Sequence, residues 1–200
     1  TYLKLRIDAL VDNVYTFTYG DLDGGNEVST ELEKRNFVGK NFGYFNFSTG
    51  ETVDLEPVAA EWDLLFTKHT AMVESDGEVI PYSSTGVLQN KLVSTVMVDG
   101  VDPALASWVG EEFDPAMNAI GYSWKSINMS TFQWDIDADR TYFVKDRSSN
   151  IWKIVFTGFG GSSTGNFSFT QELMGASGVD EQTRGELVVF PNPSTNGQLN

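Results

Sequence analysis

Cysteine is absent from all 200 residues, and with it go disulfides, thiolate nucleophiles and Cys-based zinc or iron–sulfur sites. A core of this size needs no covalent staple, so the absence says little about compartment. Histidine occurs once, so no site built on a histidine pair can form within one chain. Proline is scarce at 6 residues while glycine reaches 19. With the many β-branched and aromatic runs, that balance favours a turn-rich all-β chain. Basic residues are outnumbered 13 to 28, for a formal charge of −15. Such a field repels phosphate backbones and anionic membrane surfaces and argues against nucleic acid as a partner. No apolar run of about twenty residues occurs, so no segment reads as a membrane span. The first seven residues alternate like a strand and lack a signal peptide's apolar centre, although Thr1 is no initiator methionine and a removed leader stays open.

The signatures of common catalytic sites are missing too. There is no Gly-x-Ser-x-Gly elbow, no Gly-rich phosphate loop and no zinc-binding helix pair. The chain is therefore read as a non-enzyme, with paired carboxylates open only as they are in any acidic protein. What remains is 40% hydrophobic and 13% aromatic, the composition of a folded globular domain.

Residues 41–66 set the pattern. Phe45 and Phe47 fall on one side of a run, and Trp62, Leu64 and Phe66 on one side of the next. Successive strand side chains point to opposite faces, so both runs predict strands with an aromatic side suited to a core. Ser48-Thr49-Gly50-Glu51 supplies turn chemistry between them. Asp63, beside aromatics, needs a hydrogen-bonding partner. Alternation also marks Leu3/Leu5/Ile7, Tyr15/Phe17/Tyr19, Val28/Thr30/Leu32 and Phe132/Trp134, with further strands over 142–145, 151–157 and 166–171 and one or two within 86–98. Gly20 to Asn26 superficially resembles a calcium loop. The sixth position from Asp21 is Asn26 and the twelfth is Leu32, where such a loop needs Gly and Glu, so a hairpin turn is expected. Asp102-Pro103 and Asp114-Pro115 carry N-cap and first-turn chemistry, predicting single turns or brief helices.

The expected fold is all-β, antiparallel packed sheets with one or two short helices, over residues 1–175. Its core is expected to hold Phe45, Phe47, Trp62, Leu64, Phe66, Trp134, Phe143, Trp152, Ile154, Phe156, Phe167 and Phe169. Residues 176–186, rich in Gly, Ser and acids, read as a linker.

The aromatic strand, the Thr-Gly-Glu turn and Glu61-Trp62-Asp63-Leu64-Leu65-Phe66, followed by Tyr142-Phe143-Val144-Lys145-Asp146, by Ile151-Trp152-Lys153-Ile154-Val155-Phe156-Thr157 and by Asn166-Phe167-Ser168-Phe169-Thr170-Gln171, resemble the HmuY-like haemophore family. The resemblance covers most of residues 43–173 and implies a β domain that captures haem. Haem iron takes His, Met, Cys or Tyr ligands. Founding members of the family use a His pair and relatives use Met, so the resemblance points to Met129 near the family's second ligand position, with Met97 and Met117 as stand-ins for the first. A Met in a β-rich core is otherwise a gap-filler. His69 reads as a hydrogen-bonded surface residue. Asp135, Asp137 and Asp139 read as a solvated strand end eased by Arg140.

The last segment, 187–200, runs Leu187-Val188-Val189-Phe190-Pro191-Asn192-Pro193 and then reaches Gly197 and Leu199. It is similar to the opening of the C-terminal sorting domain of type IX secretion cargo, and is read as a truncated or processed copy. The sorting residues are Phe190, Pro191, Asn192, Pro193 and Gly197. The resemblance implies engagement of the type IX machinery and a place outside the cell or on the outer-membrane surface. The two functional expectations are a secreted binding or interaction module that is not an enzyme and, as the alternative, a haem binder with Met rather than His ligands. The first is preferred because no complete ligand pair can be assigned.

Overall fold

The computed structural model describes residues 2–75, 77–175 and 185–189. Strands make up 50% of the chain and helical turns 4%, which settles the class as all-β with antiparallel sheets. The chain divides into two compact units, Thr1–Trp62 and Asp63–Asn200.

The first unit is built on a three-stranded meander of β1 (Lys4–Val11), β2 (Val14–Gly20) and β3 (Val28–Glu33). Asp12 and Asn13 close the first hairpin with φ of 50° and 65°. These are the left-handed values that a two-residue hairpin turn needs, and Asp and Asn tolerate them best after Gly. The second hairpin closes through the 21–26 loop, where Asn26 Nδ2 donates to Asp21 Oδ2 at 2.8 Å and Gly24 takes φ 97°. The loop thus serves as the expected hairpin turn. A short hairpin follows, β4 (Tyr44–Asn46) with β5 (Glu51–Val53), and the Gly50 N–H donates to the Asn46 carbonyl at 2.8 Å across its turn.

In the second unit β6 (Leu64–Ser75) and β7 (Glu78–Gln89) form a long hairpin. A five-stranded sheet has the order β14-β13-β12-β11-β8, comprising β8 (Ser94–Val98), β11 (Thr141–Lys145), β12 (Ile151–Phe159), β13 (Phe167–Gly175) and β14 (Gly185–Val189). A small hairpin of β9 (Lys125–Ile127) and β10 (Trp134–Ile136) completes the unit. The backbone of β14 pairs antiparallel with β13, Val189 opposite Phe167. The apolar run ahead of Phe190 thus extends this sheet, and β14 starts inside the stretch read as linker. Phe190, Pro191, Asn192, Pro193 and Gly197 lie outside the described residues.

The five-stranded sheet has apolar side chains on both faces. Tyr142, Val144, Ile154, Phe156, Phe167 and Phe169 join Val87, Ile120 and Trp124 in the larger core. Phe143 and Val96 point the other way and pack with Ala106 beneath Trp108 and Phe113. Strand alternation allows this double use, since one sheet buried on both faces needs apolar residues at every position. A bulge between Phe156 and Gly158 shifts the register by one residue. It turns Phe159 towards the larger core, where unbroken alternation would have sent it outward.

Several expectations require correction. Phe47 is 40% exposed rather than buried, Phe45, Trp62 and Trp134 are half-buried, and Leu64, Phe66 and Trp152 are half-buried at the margin of the larger core. Trp62 lies ahead of β6, which begins at Leu64. Phe132 sits in the β9–β10 turn with φ 55° and is exposed, because the hairpin reverses there. Among the described residues the helical elements are 3-10 turns at Lys34–Phe37 and Ala59–Glu61. Asp102 and Asp114 do cap, accepting from the N–H groups of Ala104 and Ala116 at 2.8 Å. Each turn stops at once, because the segment must lie along the sheet as a covering layer, and Gly110 at φ 89° redirects it.

Gly86 on β7 runs against Gly121, and Val87 and Gly121 exchange backbone hydrogen bonds of 2.9 and 3.0 Å. A Cβ at Gly86 would lie 2.4 Å from the Gly121 carbonyl oxygen. Backbone cannot retreat as a side-chain tip can, so Gly86→Ala is expected to cost about 2–3 kcal/mol in urea unfolding. An unchanged midpoint would refute this close approach.

Candidate functional site

The first unit carries an open aromatic groove. Cross-strand partners share a face, and the register places Leu5 opposite Tyr19, Ile7 opposite Phe17 and Leu32 opposite Tyr15. One side of the meander is therefore apolar, while Lys4, Arg6, Thr18 and Glu31 take the other. Across the apolar side stands the segment bearing Phe37, Phe42, Tyr44, Phe45 and Phe47, and the hollow so formed has a volume of about 590 Å³. Lys34 and Lys40 line it as well, and Lys40 is ion-paired with Asp54.

Local chemistry holds this wall in place. Buried Glu56 accepts the backbone N–H groups of Asn41 and Phe42 at 2.9 and 2.8 Å, which fixes the loop presenting Phe42. Gly43 lets the Phe37 ring close in, since a Cβ there would lie 3.0 Å from two ring carbons. Edge-to-face contacts join Phe17 to Phe45 at 5.1 Å, Tyr19 to Phe47 at 5.0 Å and Phe45 to Phe47 at 5.4 Å, the geometry aromatic quadrupoles favour. Burial raises the Tyr44 phenol pKa, and the nearby Glu56 carboxylate adds to the shift. Leu5, Ile7, Phe42 and Phe47 nonetheless remain 40–56% exposed. A contiguous apolar surface on a folded domain marks a binding region more often than a packing defect. A second hollow, lined by Leu3, Val53 and Leu55, shares Tyr44, Phe45 and Phe47.

The second unit holds a buried cation. Lys125 is 7% exposed, and its Nζ donates to the Thr85 carbonyl at 2.5 Å and to the Tyr122 carbonyl at 3.4 Å. The ammonium lies 4.5 Å from the Trp124 ring centroid, 4.6 Å from Phe159 and 5.6 Å from Trp134, an aromatic box of the kind that holds cations. Burial lowers its pKa to about 8. His69, expected at the surface, is half-buried beside Gly86, and its Nδ1 is enclosed with no hydrogen-bond partner among the described residues. Burial, and secondarily the charge of Lys125, lowers its pKa.

The methionines named from the resemblance are spread over separate elements. Met129 is 71% exposed in the β9–β10 turn. Met97 is exposed on β8 opposite Tyr142. Met117 is half-buried in the covering segment, where its carbonyl accepts the Gln89 N–H at 2.7 Å. None of the three lines the aromatic groove or the acidic pocket described below. Asp137 pairs with Arg140 at 3.0 Å, and Arg140 also forks onto Asp99, so the acidic run is part of a surface ion-pair network. No described helix is long and apolar enough to cross a membrane.

Sequence reading missed the groove because it took Phe45 and Phe47 for core. The signal was the density of aromatics at 37, 42, 44, 45 and 47 together with Lys34 and Lys40, basic residues in an acidic chain. Lys125 gave no signal of its own, since two of the three rings of its box, Trp134 and Phe159, come from β10 and β12. Compared with protein-family models, curated proteins and solved structures, the chain matches none of them.

Proposed function

We propose that this chain is a secreted binding module, not an enzyme, whose first unit captures a flat or elongated apolar ligand bearing an anionic end. The observation that carries this is the aromatic groove of about 590 Å³ with Lys34 and Lys40 among its lining. Apolar walls supply the affinity, and Lys34, a cation in a chain of net charge −15, supplies the preference for an anion over a neutral analogue, while the charge of Lys40 is already met by Asp54. Haem, a flat apolar ring with carboxylate arms, belongs to this class. Of the side chains able to ligate its iron, the groove offers Tyr15 and Tyr44, so a haem held there would use tyrosine and none of Met97, Met117 and Met129. The resemblance of the tail to type IX sorting domains supports export to the cell surface or medium. Retention in the periplasm of a reporter bearing that tail would contradict this part.

Haemin titration followed at the Soret band tests the ligand reading. Saturable binding near one equivalent is expected. Lys34→Glu should weaken it about tenfold, the equivalent of ~1.4 kcal/mol, and Met129→Ala should leave it unchanged. Loss of binding in Met129→Ala with no effect of Lys34→Glu would move the site to the second unit and refute the groove.

A further inference from the structure

A different pocket, of about 380 Å³, opens in the second unit between β6 and the β11–β12–β13 face. Its walls are Leu64 and Phe66 from one side and Val144, Trp152, Ile154 and Phe169 from the other, with Asp63, Asp146 and Gln171 adding the polar groups. The register explains the convergence. Val144 stands opposite Trp152, and Ile154 opposite both Tyr142 and Gln171, so these side chains share the face that meets β6. Phe66 stacks on Phe169 at 5.4 Å with the rings 10° apart, closing the inner end.

The two carboxylates are held differently. Asp146 is saturated: Oδ1 accepts the N–H groups of Ser148 and Asn150 at 2.8 and 2.9 Å, while Oδ2 accepts Asn150 Nδ2 at 2.8 Å and the Trp152 indole N–H at 3.1 Å. Burial alone would raise its pKa, but these donors outweigh burial and lower it. It is a fixed negative charge that also locks the Trp152 ring. Asp63 is anchored through its backbone, its carbonyl accepting the N–H of fully buried Asn90 at 2.8 Å. Its pKa is raised, first by burial and then by the charge of Asp146, with Arg147 offsetting part of this. An apolar chamber with two carboxylates is poor for an anion, and a neutral hydrocarbon in it would cover Asp63 without pairing its charge. A ligand that fills the chamber and brings a positive charge to Asp63 satisfies both features.

We propose that this pocket binds a small apolar primary ammonium, an aralkylamine whose ring lies against Trp152 and Phe66 and whose ammonium donates to Asp63. Asp63 recognises the charge, and Asp146 acts by holding the Trp152 platform. The site is independent of the aromatic groove, and its ligand has the opposite charge.

The experiment uses 2-phenylethylammonium, its neutral counterpart 2-phenylethanol and the anion 3-phenylpropionate, titrated into the full chain. The readouts are calorimetry and the indole N–H resonance of Trp152. Saturable binding of the ammonium is expected, at least tenfold tighter than the alcohol, with the Trp152 resonance shifting and the anion inert. Asp63→Asn, nearly isosteric at a solvent-exposed position, should retain the wild-type melting temperature and weaken ammonium binding about tenfold. Affinity should also fall on acidification through the raised pKa of Asp63. Equal binding of alcohol and ammonium would overturn the proposal, as would an unaffected Asp63→Asn variant or no ammonium binding at millimolar concentration.

Discussion

Replacing Trp124 by alanine is expected to remove about 3–5 kcal/mol of stability from the second unit. Trp124 is 1% exposed, and its indole stacks on Phe156 with ring centroids 4.0 Å apart and planes 15° from parallel. It also meets Phe159 at 5.8 Å and Phe167 at 5.7 Å and forms one wall of the Lys125 box. Truncation would open a cavity among rings fixed by sheet register, which cannot collapse to fill it. A domain holds only about 5–15 kcal/mol in total, so the variant should unfold well below the wild-type urea midpoint. Trp124→Phe separates packing from the indole N–H, which is buried with no hydrogen-bond partner among the described residues. It keeps a stacking ring and removes an unsatisfied donor, so its loss should be no more than about half that of the alanine variant. Equal losses in the two would mean that stacking on Phe156 contributes little.

The contrast between β12 and β4 shows what period-two patterning conveys. In β12 and β13 the alternation of Ile154, Phe156, Phe167 and Phe169 predicted an apolar face, and all four are buried. In β4 and beyond, Phe45 and Phe47 show the same alternation, yet Phe47 is 40% exposed beside an open groove. Periodicity reports that a face is apolar; whether anything covers it depends on elements far away in sequence. The bulge beyond Phe156 was equally hidden, because one extra residue reverses every side chain after it and leaves no compositional mark. Asp63 was legible in part, since a carboxylate among strand aromatics needs a polar reason. The pocket around it needed Asp146 from a turn more than eighty residues on (about 27 nm of extended chain). The Asp-Pro turns at 102 and 114 were legible as caps but not as stops, because the five-stranded sheet beneath them dictates an extended cover.

Between pH 8 and 10 the second unit is expected to become more stable, against the usual alkaline decline. The cause is Lys125, whose pKa falls from 10.5 to about 8 on burial. The folded state releases this proton near pH 8, while the unfolded chain keeps it to about 10.5. Across that interval the unfolded state binds more protons, so stability rises with pH. Below pH 8 both states carry the charge, and the full cost of the buried ammonium is present. A shift of this size corresponds to at most about 3 kcal/mol; solvent screening and the rings of Trp124 and Phe159, which favour the cation, bring the expected gain to about 1–2 kcal/mol. Tyr142 limits the range. Burial raises its phenol pKa to about 12, with the Arg140 guanidinium opposing, so above pH 10 the unfolded chain ionises its tyrosine first and stability turns down. His69 acts at the other end: its pKa is lowered by burial, so acidification below the ordinary histidine value of about 6.5 is expected to destabilise the fold. Urea unfolding of wild type and Lys125→Met at pH 7, 8, 9 and 10 isolates the lysine. Methionine fills the box without a charge, so the variant should lack the rise and show its greatest advantage over wild type at pH 7. Parallel profiles for the two proteins would mean that Lys125 stays protonated throughout, its charge held by the aromatic box and the Thr85 carbonyl.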